Sequence, residues 1–258
     1  MDNVNKIALV TGASAGIGEA YCQLLAKDGC SLVVVARSAD KLASLAKTLE
    51  HQYKIKVFVC VQDLAEPNAA ANIYNFTQQN NLAVDLLINN AGFGDVGHFL
   101  DHSMEEHSAM LRAMLGAIVE LTHFYLPSML GKKHGGIINV SSVVGLLGLS
   151  LRSQVTRALY RPIKCFVIAF TEQLALAYKD TGVHFQCLCP GLTISEFHKR
   201  SGQAGLRDKT PKFLWLSSEE VATRSYFALR KNRKVIVVTG FINKIGIFIH
   251  RLVNLFSI

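Results

Sequence analysis

Two short stretches carry side chains or backbone able to do chemistry. In Tyr160-Arg161-Pro162-Ile163-Lys164 the four-residue spacing puts tyrosine and lysine on one face of a helix. A free phenol has a pKa of about 10, and each unit of lowering takes about 1.4 kcal/mol of preferential stabilisation of the phenolate. The Lys164 ammonium is a source of that stabilisation, and a tyrosine drawn toward neutrality can protonate a carbonyl oxygen or take a proton from an alcohol. The second stretch is Thr11-Gly12-Ala13-Ser14-Ala15-Gly16-Ile17-Gly18, between the apolar run Ile7-Ala8-Leu9-Val10 and a helical pattern from Glu19 onward. Glycines at 12, 16 and 18 can take left-handed backbone angles and let a ligand lie against the main chain. The helix behind them turns unpaired N–H groups and the positive end of its dipole toward the turn, which suits a pyrophosphate. A purely structural turn is the other reading of the glycines alone.

The elements that must position these groups follow in regular alternation. Ser31–Ala36 reads as a buried strand, a helix over about 40–51 carries Leu42, Leu45, Ala46 and Leu49 on one face, and residues 55–61 form a third strand. Further strands are expected at 84–88, at 135–140, at 183–189 and at 234–239. A long helical pattern over about 103–130 is broken only near Pro127, and another spans about 155–180. The expected fold is α/β: a doubly wound parallel sheet (Rossmann) of about seven strands with helices on both faces, in one domain over 1–258. In such a fold the end of the second strand faces the adenosine ribose, where an acidic residue would bind the free 2′-hydroxyl of NAD. Arg37 and Ser38 stand there instead, a cation and a hydroxyl suited to a 2′-phosphate, so NADP is preferred. A surface arginine opening the next loop is the alternative.

The glycine turn, together with four further motifs in the same order, resembles the short-chain dehydrogenase/reductase family. Asp63-Leu64 match the pair that holds the adenine in that family, although Asp63 can also cap the next helix. Asn89-Asn90-Ala91-Gly92 resembles the signature whose small residues pack beneath the cofactor. The resemblance makes Ser142, in Ser141-Ser142-Val143-Val144-Gly145, the serine that binds the substrate oxygen. Tyr160 becomes the acid/base, helped by the cationic ring of an oxidised nicotinamide, and Lys164 the ribose-binding residue. Pro190-Gly191-Leu192-Thr193 resembles the motif holding the carboxamide, with Thr193 the best candidate. The resemblance therefore implies cofactor contacts from Gly12, Ser14, Gly16, Ile17, Gly18, Arg37, Ser38, Asp63, Leu64, Asn90, Ala91, Gly92, Tyr160, Lys164, Pro190, Gly191 and Thr193. It implies direct hydride transfer between NADP and a small-molecule carbonyl or alcohol, no metal, and a homodimer or homotetramer through the two long helices. Two departures stand out. Counting back from Gly116 puts Ala113 where the family carries an asparagine of its proton relay. Ser142 and Tyr160 are also farther apart than usual, so an insertion lies between 146 and 159; its Arg152 and Arg157 could favour an acidic substrate or could simply be solvated.

Composition narrows the field. Half of the 258 residues are hydrophobic and 18% are charged, the balance of a soluble protein with a large core or subunit interface. The six scattered cysteines make no Cys-x-x-Cys pair, and the polar residues 1–6 run straight into the first strand, so a reduced cytoplasmic protein is expected. A net charge of +8 permits attraction to anions, but no zinc-finger spacing or aromatic-rich basic stretch supports nucleic acid. Residues 193–218 match the family's substrate lid, where Trp215 either lines the pocket or belongs to the core. In 241–258 Ile242, Ile245, Ile249, Leu252, Val253 and Phe256 form an apolar stripe at helical spacing. It packs on the body or a second subunit, or lies on a membrane surface as a peripheral contact. A hydrophobic ketone or aldehyde is the expected substrate. The alternative, motivated by Ala113 and the displaced tyrosine, is an NADP-binding protein with little catalysis that acts as a sensor or binding partner.

Overall fold

The computed structural model describes residues 6–94, 97–147, 158–197, 204–232 and 234–255. Seven strands, β1 (Ile7–Thr11), β2 (Ser31–Ala36), β3 (Val57–Val61), β4 (Leu86–Asn89), β5 (Gly135–Val140), β6 (Val183–Cys189) and β9 (Ile236–Val238), form one sheet in the order β3-β2-β1-β4-β5-β6-β9. All the pairings are parallel, with Leu9 opposite Val33 and Leu87, and Asn139 opposite Cys187. The doubly wound sheet expected from the alternation is the one observed. Two short strands, β7 (Thr193–Ile194) and β8 (Leu216–Ser217), pair separately in parallel and bring residues 193 and 216 together.

The strands are apolar on both sides because helices cover both faces. Helices α1 (Gly16–Lys27), α2 (Ala39–Tyr53) and α7 (Ser218–Phe227) pack over Ala8, Val10, Leu32, Val34 and Ile138. On the other face α3 (Ala69–Gln79), α4 (Met104–Leu111), α5 (Ala117–Gly131) and α6 (Tyr160–Ala177) cover Leu9, Val33, Val35, Leu87 and Ile137. The C-terminal helix, α8 (Phe241–Leu255), follows β9.

The long helices depart from expectation in two places. The 104–131 helix is not broken at Pro127, which lies inside α5, where Tyr125, Leu126 and Met129 are buried against the sheet on either side of it. The irregularity falls instead at Arg112–Gly116, a wide π turn joining α4 to α5; such turns insert an extra residue and re-aim the side chains around it. This helix is long and apolar enough to cross a bilayer, but half of its apolar window is buried inside the fold, the mark of a core helix. Helix α6 begins at Tyr160 rather than near 155. Most of the insertion, with Arg152 and Arg157, lies outside the described residues.

Candidate active site

The strand order reverses beside β1, and the crevice outside the carboxyl ends of strands at such a switch point is where doubly wound folds bind ligands. A cleft of about 880 Å³ opens there. At its floor, Gly12 and Gly16 have φ of +67° and +60°. A Cβ added at Gly12 would lie 2.8 Å from Asn90 Nδ2 and 2.9 Å from Ala91 Cα, and one at Gly16 would lie 3.0 Å from Ser195 Cβ. Both positions thus require glycine sterically, and both leave main chain facing the cleft ahead of α1. Helix α1 has no side-chain cap at Ala15, so its first N–H groups are free of a side-chain acceptor. A cradle of bare backbone at a helix start fits a pyrophosphate.

The turn is braced from below by Asn90 and Thr11. Asn90 Nδ2 donates to Thr11 O at 2.9 Å, and the Asn90 and Ala91 amides donate to Thr11 Oγ1 at 2.9 and 3.1 Å. Asn89 Nδ2 donates to Asn139 Oδ1, whose own amide donates to Thr171 Oγ1, linking β4 to β5 and α6 through the core.

At one end of the cleft stand Arg37, Ser38, Asp63 and Leu64. Arg37 Nη1 lies 3.7 Å from Asp63 Oδ2, and Asp63 Oδ1 accepts from Ala65 N at 3.0 Å, so Asp63 does organise the following turn while facing the cleft. Ser38 is the N-cap residue of α2, yet its hydroxyl makes no capping hydrogen bond and is left to the cleft.

At the other end Ser142, Tyr160 and Lys164 come together, brought there by the end of β5 and the first turn of α6. The Ser142 hydroxyl stands near enough to the Tyr160 phenol to draw its pKa down, and its oxygen accepts from Val144 N at 3.3 Å. Lys164 is almost wholly buried; its Nζ donates to Val140 O at 2.9 Å and sits 5.6 Å from the Tyr160 ring centroid. Gly145 is what lets this turn close on α6, because a Cβ there would meet Lys164 O at 2.8 Å. Burial pushes the Tyr160 phenol up to about 12, with Ser142 offsetting only part of the effect. The direction is opposite to the expected fall toward neutrality: desolvation of the phenolate outweighs its stabilisation. Burial also lowers Lys164, to about 8. Behind it Cys187 and Cys189 project from one face of β6, buried, with their sulfurs 3.8 Å apart.

Every residue expected at the site lines this cleft except Gly18. Gly18 lies beneath, where a Cβ would collide with the Gly12 carbonyl and lie 2.6 Å from Asn90 Nδ2, so its work is to let α1 approach the turn. Thr193 is buried and its hydroxyl donates to Gly191 O at 3.1 Å. Ala113 does line the wall, offering only a methyl group; the next residue, Met114, is buried beside Gly92. Trp215 belongs to the lid's own packing, its indole donating to Thr210 Oγ1 at 2.8 Å, and does not line the cleft.

Three contributors escaped the sequence reading. Phe197 faces the Tyr160 ring at 5.9 Å. Glu196, two residues past β7, pairs with Lys41 of α2 at 3.4 Å, so this wall is tied across to α2 near Arg37. Asn243, on α8, reaches the wall beside Gly191. A signal for Asn243 exists: it is a polar residue opposite the apolar stripe of an amphipathic helix.

The geometry is that of a dinucleotide-binding α/β fold with a serine, a tyrosine and a lysine gathered at one end of its cleft. The chain belongs to the short-chain dehydrogenase family, whose profile matches residues 6–204, and it is an oxidoreductase of that family. It is 26% identical over 239 residues to the 7beta-hydroxysteroid dehydrogenase of Mediterraneibacter gnavus, covering 93% of this chain and 88% of that protein. Among solved structures, a short-chain dehydrogenase from Sphingobium yanoikuyae in complex with NADPH superposes with a TM-score of 0.82 at 24% identity, over 98% of this chain and 95% of that one. A family member from Burkholderia phymatum in complex with NAD gives 0.84 at 22% identity, over 99% and 96%. These two likenesses are of fold, and they span both nicotinamide cofactors.

Proposed function

We propose that this oxidoreductase interconverts a ketone or aldehyde and its alcohol on a bulky hydrophobic substrate, with NADP(H) as cofactor and reduction as the favoured direction. The observation that carries this reading is one cleft lined by Arg37 and Ser38 at one end and by Ser142 and Tyr160 beside Lys164 at the other. Gly12, Ser14, Gly16 and Ile17 cradle the pyrophosphate, Asp63 and Leu64 flank the adenine, Asn90, Ala91 and Gly92 underlie the cofactor, and Pro190, Gly191 and Thr193 hold its carboxamide end. Arg37 and Ser38 bind the 2′-phosphate, for which a guanidinium and a hydroxyl unused in capping are the right donors. Bound nicotinamide supplies the hydride. Ser142 donates a hydrogen bond to the substrate oxygen, and Tyr160 gives that oxygen its proton. A phenol held up to about 12 keeps its proton at working pH, as the acid of a carbonyl reduction must. Lys164 holds the ribose, and its charge stabilises the phenolate left by the proton transfer.

The substrate end is walled by Phe93, Val143, Val144, Leu192, Phe197 and Leu206, which supports a hydrophobic substrate, and the hydroxysteroid dehydrogenase relative points the same way. Residues 193–218 act as its lid within one domain. Exposed Leu111, Phe166 and Leu176 on the long helices support a homodimer or homotetramer formed through 104–131 and 160–177. The protein works in the cytoplasm. The test is cofactor consumption over a panel of bulky ketones and aldehydes. Consumption of NADPH at least about tenfold faster than of NADH is expected from the loss of a charge-assisted contact. NADPH binding with no consumption on any of the panel would instead favour a sensor or binding partner.

A further inference from the structure

Helix α8 is amphipathic the wrong way round for a helix packed on a core. The side it turns to the body carries Asn243 and Ile247, and Ile247 is the one residue of its first nine that is fully buried. Asn243 Nδ2 donates to Thr239 O at 2.8 Å, and its amide rests on Gly191 and Gly240 at the cleft wall. The opposite side presents Phe241, Ile245, Phe248 and Ile249, which are 73, 42, 63 and 53% exposed. Leu216 packs against Gly240, which brings the 70% exposed Phe213 of the lid, three residues before it, to the same end of the molecule.

We propose that this face docks on an anionic lipid surface, with α8 lying in the plane of the interface and the cleft opening beside it. Charge selects lipid over a second copy of the chain. Residues 241–258 contain no aspartate or glutamate, whereas Lys244 borders the apolar face and Arg251 follows it by one heptad in sequence. Two such helices packed face to face would bring like charges together, while cations bordering an apolar stripe match anionic headgroups around an acyl interior. With fifteen residues α8 extends about 22 Å, too short to span a bilayer. Because Asn243 joins α8 to the wall at Gly191, an apolar substrate dissolved in the bilayer meets the cleft at the docking surface. That last consequence rests on the carbonyl-reductase reading; the docking itself does not.

The experiment is cosedimentation of the full chain with vesicles of phosphatidylcholine alone and of equal parts phosphatidylcholine and phosphatidylglycerol, without substrate. Binding to the anionic vesicles at least about tenfold tighter than to the neutral ones, weakened by added salt, is expected. Phe248→Glu and Lys244→Glu should each lower it about tenfold while NADPH binding, followed in parallel, reports an intact fold. The natural chain failing to sediment with anionic vesicles would overturn the proposal, as would both variants binding like the natural chain. A chain that stays off vesicles but falls from dimer to monomer on Phe248→Glu would assign the face to a second copy and overturn it equally. None of these outcomes depends on turnover, so a failure here is separable from a failure of the reductase reading.

Discussion

The two ends of the cleft are built by different means. At the pyrophosphate end the working surface is backbone: Gly12 and Gly16 in left-handed conformations, Gly18 packed beneath them, and Asn90 and Thr11 bracing the turn. Elsewhere the lining is made of side chains delivered from far apart in the chain, among them Phe93, Val143, Phe197, Leu206 and Asn243. A backbone site tolerates almost no added volume, so its sequence is confined to glycine and other small residues. A side-chain site can be met by many residues of similar shape, so its composition is free to differ. On the proposed reading, the first end accommodates the cofactor and the second the substrate.

The contrast can be broken most severely at Gly18. A methyl group there collides with the Gly12 carbonyl and Asn90, and neither backbone nor braced amide can yield. Gly18→Ala should cost about 3 kcal/mol of stability and abolish measurable NADPH binding, checked by thermal unfolding and a fluorescence titration. Phe197→Leu, at the other end, should leave cofactor affinity unchanged and alter only substrate KM.

Next in size is the buried lysine beside Tyr160. Burial lowers Lys164 from 10.5 to about 8 in the folded protein, whereas the unfolded chain keeps that proton until about 10.4. Between those values the unfolded state binds more protons, so this group makes stability rise with pH across the window, by up to about 3 kcal/mol. Unfolding measured from pH 7.5 to 10 should show that rise in the natural chain relative to Lys164→Met, which lacks the group. Parallel curves for the two would mean that the ammonium is solvated rather than buried.

Arg37→Ala sharpens the comparison at the adenosine end. It should reduce the preference for NADPH over NADH about tenfold by weakening NADPH alone, measured as the ratio of kcat/KM values. The smallest effect belongs to the tie between the ends, the Lys41–Glu196 pair. Both side chains are half exposed, so Glu196→Gln should change cofactor affinity by no more than about fivefold, seen as faster NADPH release in stopped flow.

The sequence made the fold and the cofactor end legible because both are written in local terms. Alternating apolar runs produce strands and helices in their observed order, and a glycine required by a clash leaves its mark at a fixed spacing. Lys164 was equally legible as a position, but the sense of the Tyr160 shift was not, since it depends on how completely α6 and the end of β5 exclude water. Pro127 shows the converse limit: a local rule against proline in helices gave way to Tyr125, Leu126 and Met129 holding α5 on the sheet. The π turn at Arg112–Gly116, and Asn243 reaching the cleft from the far end of the chain, depend on tertiary packing that no window of sequence contains.

The central claim is that Tyr160 is the proton donor of a carbonyl reduction. Its most direct test is NADPH consumption with an accepted ketone by the natural chain and by Tyr160→Phe, which keeps the ring against Phe197 and removes only the hydroxyl. A fall in kcat of about 10² to 10⁴, with NADPH affinity retained, is predicted. Equal rates in the two proteins would put the proton donor elsewhere and contradict the account.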